Sequence, residues 1–246
     1  MNDSHSGPRT DSTLRWGGLA GIAGSILMVF TFGFVAVFVG MDITPAESLT
    51  RFADIRAARA VENTLYLAIL LLWVLHSLAL HQALRRTSPT PALFGTALSI
   101  LGLVLLAAGA VPHVATASLF DLYQAADATP QDQATLVLVW HGIEAVFVAL
   151  LYTGLVIVPL ALMALGVAML GTPHYGRRIG KVTIALGMAG LAAAVGVLAG
   201  VPELDAVGVL ILLGFHLCLG RKTLQLGLSD PIRGWVDLFP ASSACP

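Results

Sequence analysis

His141 and Glu144 stand one helical turn apart in "VLVWHGIEAVF", residues 137–147, inside a long apolar run. On a helix, side chains at i and i+3 share a face, so this imidazole and carboxylate can reach one proton or one ion. Histidine titrates near neutrality, which suits the two groups to general acid/base work. With His113 from a neighbouring segment they form a two-histidine, one-carboxylate set, enough to hold a divalent metal. Other chemistry signatures are missing: no H-E-x-x-H, no G-x-S-x-G and no aspartate-rich diphosphate motif. "GTPHYGRR" starts like a phosphate-binding loop but has Arg177 in place of the lysine, and no strand precedes it.

The surroundings of these residues set what they can do. Of 246 residues, 57% are hydrophobic and only 11% charged, against roughly 25% charged in soluble domains. Such a chain cannot cover a water-facing surface. A net charge of −1 and the lack of a basic stripe argue against nucleic acid as a partner. Cys218 and Cys245 offer no disulfide framework and no metal spacing. The run from Trp16 to Gly40 is too long for a signal-peptide core of ~7–15 residues, so it reads as a retained helix.

Apolar stretches at 16–40, 63–84, 91–117, 138–170, 179–200 and 202–220 predict an all-α polytopic bundle of six transmembrane spans. Arg85, Arg86, Arg177, Arg178, Lys181, Arg221 and Lys222, with Arg9 and Arg15, then fall on one side. The positive-inside rule places both termini in the cytoplasm and the protein in the cell (inner) membrane. Residues 1–15 form an N-terminal tail, 16–222 the membrane domain, and 223–246 a C-terminal tail. In that tail Ile232, Trp235, Val236 and Phe239 recur at helical spacing, as on a helix resting on the membrane surface. Splitting 134–170 into two spans would move a basic cluster outside, so one long helix is expected there, with Pro159 as a bending point. The first outer loop carries Leu49, Phe52, Ile55 and Ala58 at helical spacing, a short amphipathic helix that lies flat or lids the bundle. Glycines 17, 21 and 24 of span one and 187, 190, 196 and 200 of span five predict close helix packing.

Three polar stripes interrupt the spans. They are Glu62, Tyr66, Trp73 and His76 on span two; Ser99, Gly102, Gly109, His113 and Thr116 on span three; and His141, Glu144 and Tyr152 on span four. Counting residues from the basic side puts Glu62, His113, His141 and Glu144 near the outer boundary. They predict an outward-facing pocket lined by Glu62, Tyr66, His113, His141, Glu144 and Tyr152. The plain alternative is that the same groups hydrogen-bond within the bundle and fix its packing. A metal at His113, His141 and Glu144 is the narrower reading. Haem is a weaker rival, resting on His76, His81 and His216, of which His216 can face only one of the other two.

Three short segments carry a likeness. "TPQDQ" before the fourth span, "HG" at 141–142 and "PHYGRRIG" leading into a Gly-rich helix resemble a family of bacterial multi-pass membrane proteins defined by a domain of unknown function. The likeness covers roughly residues 16–200 and implies topology without a mechanism. Function therefore stays among four classes. One is a bilayer protein with a pocket for a lipid-like or small hydrophobic ligand. The others are a metal- or acid/base-dependent intramembrane enzyme, a small transporter and an assembly subunit.

Overall fold

The computed structural model describes residues 7–40, 51–109, 111–201 and 203–236, with side chains placed for all of these except 7–11, 111–115 and 229–236. Within them the chain forms α1 (Gly7–Phe38), α2 (Phe52–Leu84), α3 (Pro89–Ala108), α4 (Val111–Tyr123), α5 (Pro130–Leu170), α6 (Gly176–Leu198) and α7 (Leu204–Val236). All but α4 contain a stretch long and apolar enough to cross a bilayer. A helix meets every backbone hydrogen bond internally, which hydrocarbon demands. The protein is a multi-pass helical membrane protein.

The spans form a closed ring. Each packs against its neighbours in sequence, α3 meeting α5 directly, and α1 closes the ring against α7. Lipid tails are as apolar as leucine, so the helices gain little from hiding apolar surface from one another; close packing must hold them. Glycines make that packing possible. A Cβ added at Gly18 would stand 2.5 Å from the Leu224 nitrogen, and one at Gly220 would stand 3.0 Å from the Gly18 oxygen. The α5–α6 seam is alike: a Cβ at Gly166 or Gly180 would lie within 3 Å of the other's carbonyl oxygen.

α5 is a single helix of 41 residues, about 61 Å long against a hydrocarbon core of ~30 Å. It starts at a capping box in which the Asp132 N–H donates to Thr129 Oγ1 and the Thr129 N–H donates to Asp132 Oδ2. Its first turns stand beyond the apolar core and pack on α4 through Leu119 and Trp140. The start of α2 joins them: Phe52 packs on Phe120 with ring centroids 5.5 Å apart, and Arg56 meets Asp121 at 3.4 Å. These three segments build a cap on one end of the ring.

Several expectations change. Span three does not run unbroken to residue 117: α3 stops at Ala108, and a separate α4 begins at Val111. Pro112, which has no N–H, belongs in the first turn of a new helix. The amphipathic stretch of the first outer loop is not a separate helix on the membrane. From Phe52 it is the first part of α2, with Phe52 and Ile55 buried; Leu49 lies outside the described residues. Gly200 caps α6 at φ +97 instead of packing a seam, a conformation that disfavours side chains. Helix also extends into both expected tails, from Gly7 and to Val236, and Arg15 Nε donates to the Gly227 carbonyl at 2.9 Å. The side chains of Ile232, Trp235 and Val236, and all of Phe239, lie outside the described residues.

At the basic end, side-chain bonds tie the connections to the spans. Thr87 meets Thr172 at 2.9 Å, and the Tyr175 hydroxyl meets Thr223 Oγ1 at 3.0 Å. Burial pushes the Tyr175 phenol up to about 12, against a smaller lowering by the Thr223 bond. The folded state thus favours the neutral phenol. Its contribution is intact below about pH 10 and is lost as pH rises through about 12. The fall in melting temperature between pH 9 and pH 11.5 should therefore be smaller in Tyr175→Phe than in wild type, measured in detergent. Ring closure yields a second expectation. Gly18→Leu should lose at least about 2 kcal/mol or fail to accumulate folded. Gly33→Ala, where an added Cβ meets nothing within 4 Å, should be neutral or gain up to about 1 kcal/mol. Soluble fraction after heating in detergent reads both.

Candidate functional site

A cavity of ≈ 230 Å³ lies inside the ring. Met28, Thr31, Phe32 and Val35 of α1 form one wall, and Leu106, Phe147, Leu151 and Leu155 of α3 and α5 form another; Val209 and Leu212 of α7 complete it. On α2 the lining changes character along the helix, from Glu62, Asn63 and Tyr66 through Leu70 to Trp73. The cavity is thus apolar with one polar end. Glu62 is about 35 Å along α2 from Arg85 and Trp73 about 18 Å. The polar end sits near one membrane boundary and the floor near the midplane.

At the polar end, Arg59 donates to Glu62 Oε2 at 2.9 Å and neutralises it. Asn63 and Tyr66 form no hydrogen bond with other described residues, so their polar atoms are free for an occupant. The hydroxyl of Thr31 is committed to the Leu27 carbonyl at 2.8 Å.

Trp73 closes the floor, and a polar knot lies beneath it. His76 of α2 and His216 of α7, both fully buried, meet Nδ1 to Nδ1 at 2.8 Å. The His216 ring stacks on Trp73 with centroids 4.6 Å apart and planes 4° from parallel. Room for the knot comes from α1: a Cβ at Gly21 would stand 2.8 Å from His76 Nδ1, and one at Gly24 would stand 2.8 Å from Trp73. Nearby, Ser77 meets Ser99 at 2.9 Å, and Ser25 Oγ lies 3.3 Å from the Leu213 carbonyl.

One ring of the histidine pair must carry its proton on Nδ1 while the other accepts there, which puts the second ring's proton on Nε2. Neither ring's Nε2 has a hydrogen-bond partner among the described residues. A metal held between opposed imidazoles needs nitrogens about 4 Å apart, twice a bond of about 2 Å. At 2.8 Å the two Nδ1 atoms meet each other directly, with no room for an ion between those two atoms.

The pocket expected from the sequence is partly assembled. Glu62 and Tyr66 line the cavity. His141, Glu144 and Tyr152 do not; α5 offers Phe147, Leu151 and Leu155 instead. His141 is exposed and Glu144 half-buried, and Arg59 and His141 both act electrostatically on the Glu144 carboxylate. Arg59 thereby links the carboxylates of α2 and α5. The side chain of His113 lies outside the described residues. Among the described residues, no three of His, Cys, Asp and Glu converge to hold a metal. What sequence reasoning missed is the α7 side of the cavity: His216 could face either His76 or His81, with nothing to choose between them, and Val209 and Leu212 sit in an unbroken apolar span.

No family model, curated protein or solved structure matches the chain.

The knot makes a measurable claim. His76→Leu or His216→Leu alone strands the other imidazole and should cost about 1–3 kcal/mol. The double leucine variant should lose clearly less than the sum, since no polar group is left without its partner. Denaturant titration in mixed micelles reads the cycle; strict additivity would mean that the two rings do not depend on each other.

Proposed function

We propose that the protein binds a small, largely apolar molecule in the cavity between α1, α2, α3, α5 and α7, from the outer side of the cell membrane. The observation that carries this reading is the cavity itself: ≈ 230 Å³ of space in a bundle whose α1–α7 and α5–α6 seams are closed by glycine contacts. Protein interiors leave few voids of this size, because an empty one forfeits dispersion contacts around its lining. An apolar cavity of ~150 Å³ holds a benzene. By that scale this one suits roughly ten non-hydrogen atoms.

Charge supports the orientation. The turn after α2, the start of α6 and the middle of α7 carry seven of the chain's Lys and Arg residues, 85, 86, 177, 178, 181, 221 and 222. At the other end stand Arg51, Arg56 and Arg59, the last two paired with Asp121 and Glu62. Lys and Arg are therefore in excess at one end, the cytoplasmic one by the positive-inside rule. The cavity then opens toward the outer leaflet. Acid/base or metal chemistry at Glu144 and His141 would have to occur at the cap, since neither residue lines the cavity. Kinship with the bacterial multi-pass family rests on the three short segments alone.

Solvent extraction and mass spectrometry of protein purified in mild detergent test the reading. Wild type should retain a lipophilic molecule at close to one per chain. Val35→Phe/Val209→Phe, which fills the cavity from two sides, should retain about tenfold less. Equal retention by the two proteins would remove the cavity from the account.

A further inference from the structure

We propose that the cavity takes an uncharged single-chain amphiphile with a hydroxyl or carbonyl head, which enters from the outer leaflet past Phe32. The assignment rests on the cavity being a binding site, and it adds the ligand's head chemistry and its route.

The head chemistry follows from which polar atoms are still free. A charge brought into an apolar cavity needs a partner there. The carboxylate that reaches the cavity, Glu62, is held by Arg59 at 2.9 Å. Glu144 shares the field of Arg59 and faces His141, outside the lining. What remains at the upper end are two neutral groups on one face of α2, the Asn63 amide and the Tyr66 hydroxyl; at the floor Trp73 Nε1, unpartnered among the described residues, lies against Gly24 of α1. Asn63 and Tyr66 both donate and accept, so they match an alcohol or ketone oxygen. The rest of the wall is apolar down to Trp73, about 16 Å of helix from Glu62. Extending along α2 with Asn63 and Tyr66 at one end, the space suits one chain with one head.

The route follows from how α1 and α7 diverge. Below, they touch at Gly18, Gly21 and Gly220. Above Ser25, bulkier residues on both helices face the cavity. Phe32 lines it and is also 44% exposed on the outside of the bundle. That ring is the partition between cavity and lipid. A leaflet amphiphile already has its head at the boundary and its tail toward the midplane, the polarity of the cavity itself, so it can enter sideways without turning over.

The test uses 8-bromooctan-1-ol, 8-bromooctanoate and 8-bromooctylammonium with protein in micelles, compared at equal micellar mole fraction. Trp16→Phe, Trp140→Phe and Trp235→Phe leave Trp73 as the one fluorophore, and bromine at the tail of a correctly seated probe quenches it. The alcohol should quench saturably, with apparent affinity at least tenfold above either charged probe. Asn63→Leu and Tyr66→Phe should each weaken the alcohol about two- to tenfold, and Phe32→Ala should speed the onset of quenching. Saturable quenching that Val35→Phe/Val209→Phe abolishes, but that ranks the three heads equally or favours the ammonium, overturns the neutral-head assignment and leaves the cavity standing. Quenching that is unsaturable, or unchanged by filling the cavity, overturns the binding reading and this assignment with it. Unchanged onset in Phe32→Ala overturns the route.

Discussion

The first and last spans touch backbone to backbone, and the rest of the ring depends on that contact. Hydrocarbon supplies neither hydrogen bonds nor a hydrophobic drive between helices, so dispersion at close range must hold them. Gly18 and Gly220 bring α1 and α7 to within the reach of a single Cβ. Once they meet, His216 is delivered to His76 across the middle of the ring. Higher up, no glycine joins the two helices: a Cβ at Gly33 would meet nothing within 4 Å, and one at Gly208 would meet Leu155 of α5. Met28, Phe32 and Val35 face Val209 and Leu212, and the cavity opens where side chains replace glycines. Tight seam and open cavity are two ends of one size gradient along the same helix pair.

The histidine knot is a consequence of closure that also restricts it. Two imidazoles buried in an apolar ring are costly unless they satisfy each other. Their Nδ1 contact admits one arrangement of α2 against α7, because a shift of a single residue would turn one ring by about 100° and strand both. The stack of His216 on Trp73 then fixes the floor of the cavity. A polar bond beneath the cavity thus defines an apolar surface within it. The wall above can give way to an occupant while the floor stays put.

Much of this was legible from residue order alone. Span number, the long fourth span and the glycine stripes of spans one and five follow from hydropathy and spacing, and so does the polar face of α2. Glu62, Tyr66 and Trp73 share one cavity because over three turns of helix a stripe stays on one side. The α5 stripe was misleading for a physical reason. His141, Glu144 and Tyr152 share a face of their own helix, but a helical wheel does not say which neighbour that face meets. In a helix that overshoots the membrane, the upper turns meet the cap rather than the ring. Residues 147, 151 and 155, one turn apart and wholly apolar, carry no pattern that separates cavity lining from lipid contact. His216 was half legible: it could be set opposite His76 or His81, but nothing in the sequence chose the partner 140 positions away.

The cap explains why ionisable groups gather where they do. Arg59, Glu62, Glu144 and His141 lie at the level where α2 and α5 leave the apolar layer, and there a charge costs far less than at the midplane. At this height the Arg59–Glu62 pair within α2, whose cation also acts on Glu144 of α5, offsets the charge that an amphiphile's head would meet. The same arithmetic keeps the midplane free of charge: the polar groups found there are neutral, and some are paired within the ring, as Ser77 with Ser99 and His76 with His216. A molecule with a neutral head and an apolar tail meets, at each depth, the chemistry its own atoms require. Such a match costs the resting protein little, since every charge near the cavity already has an opposite charge close by.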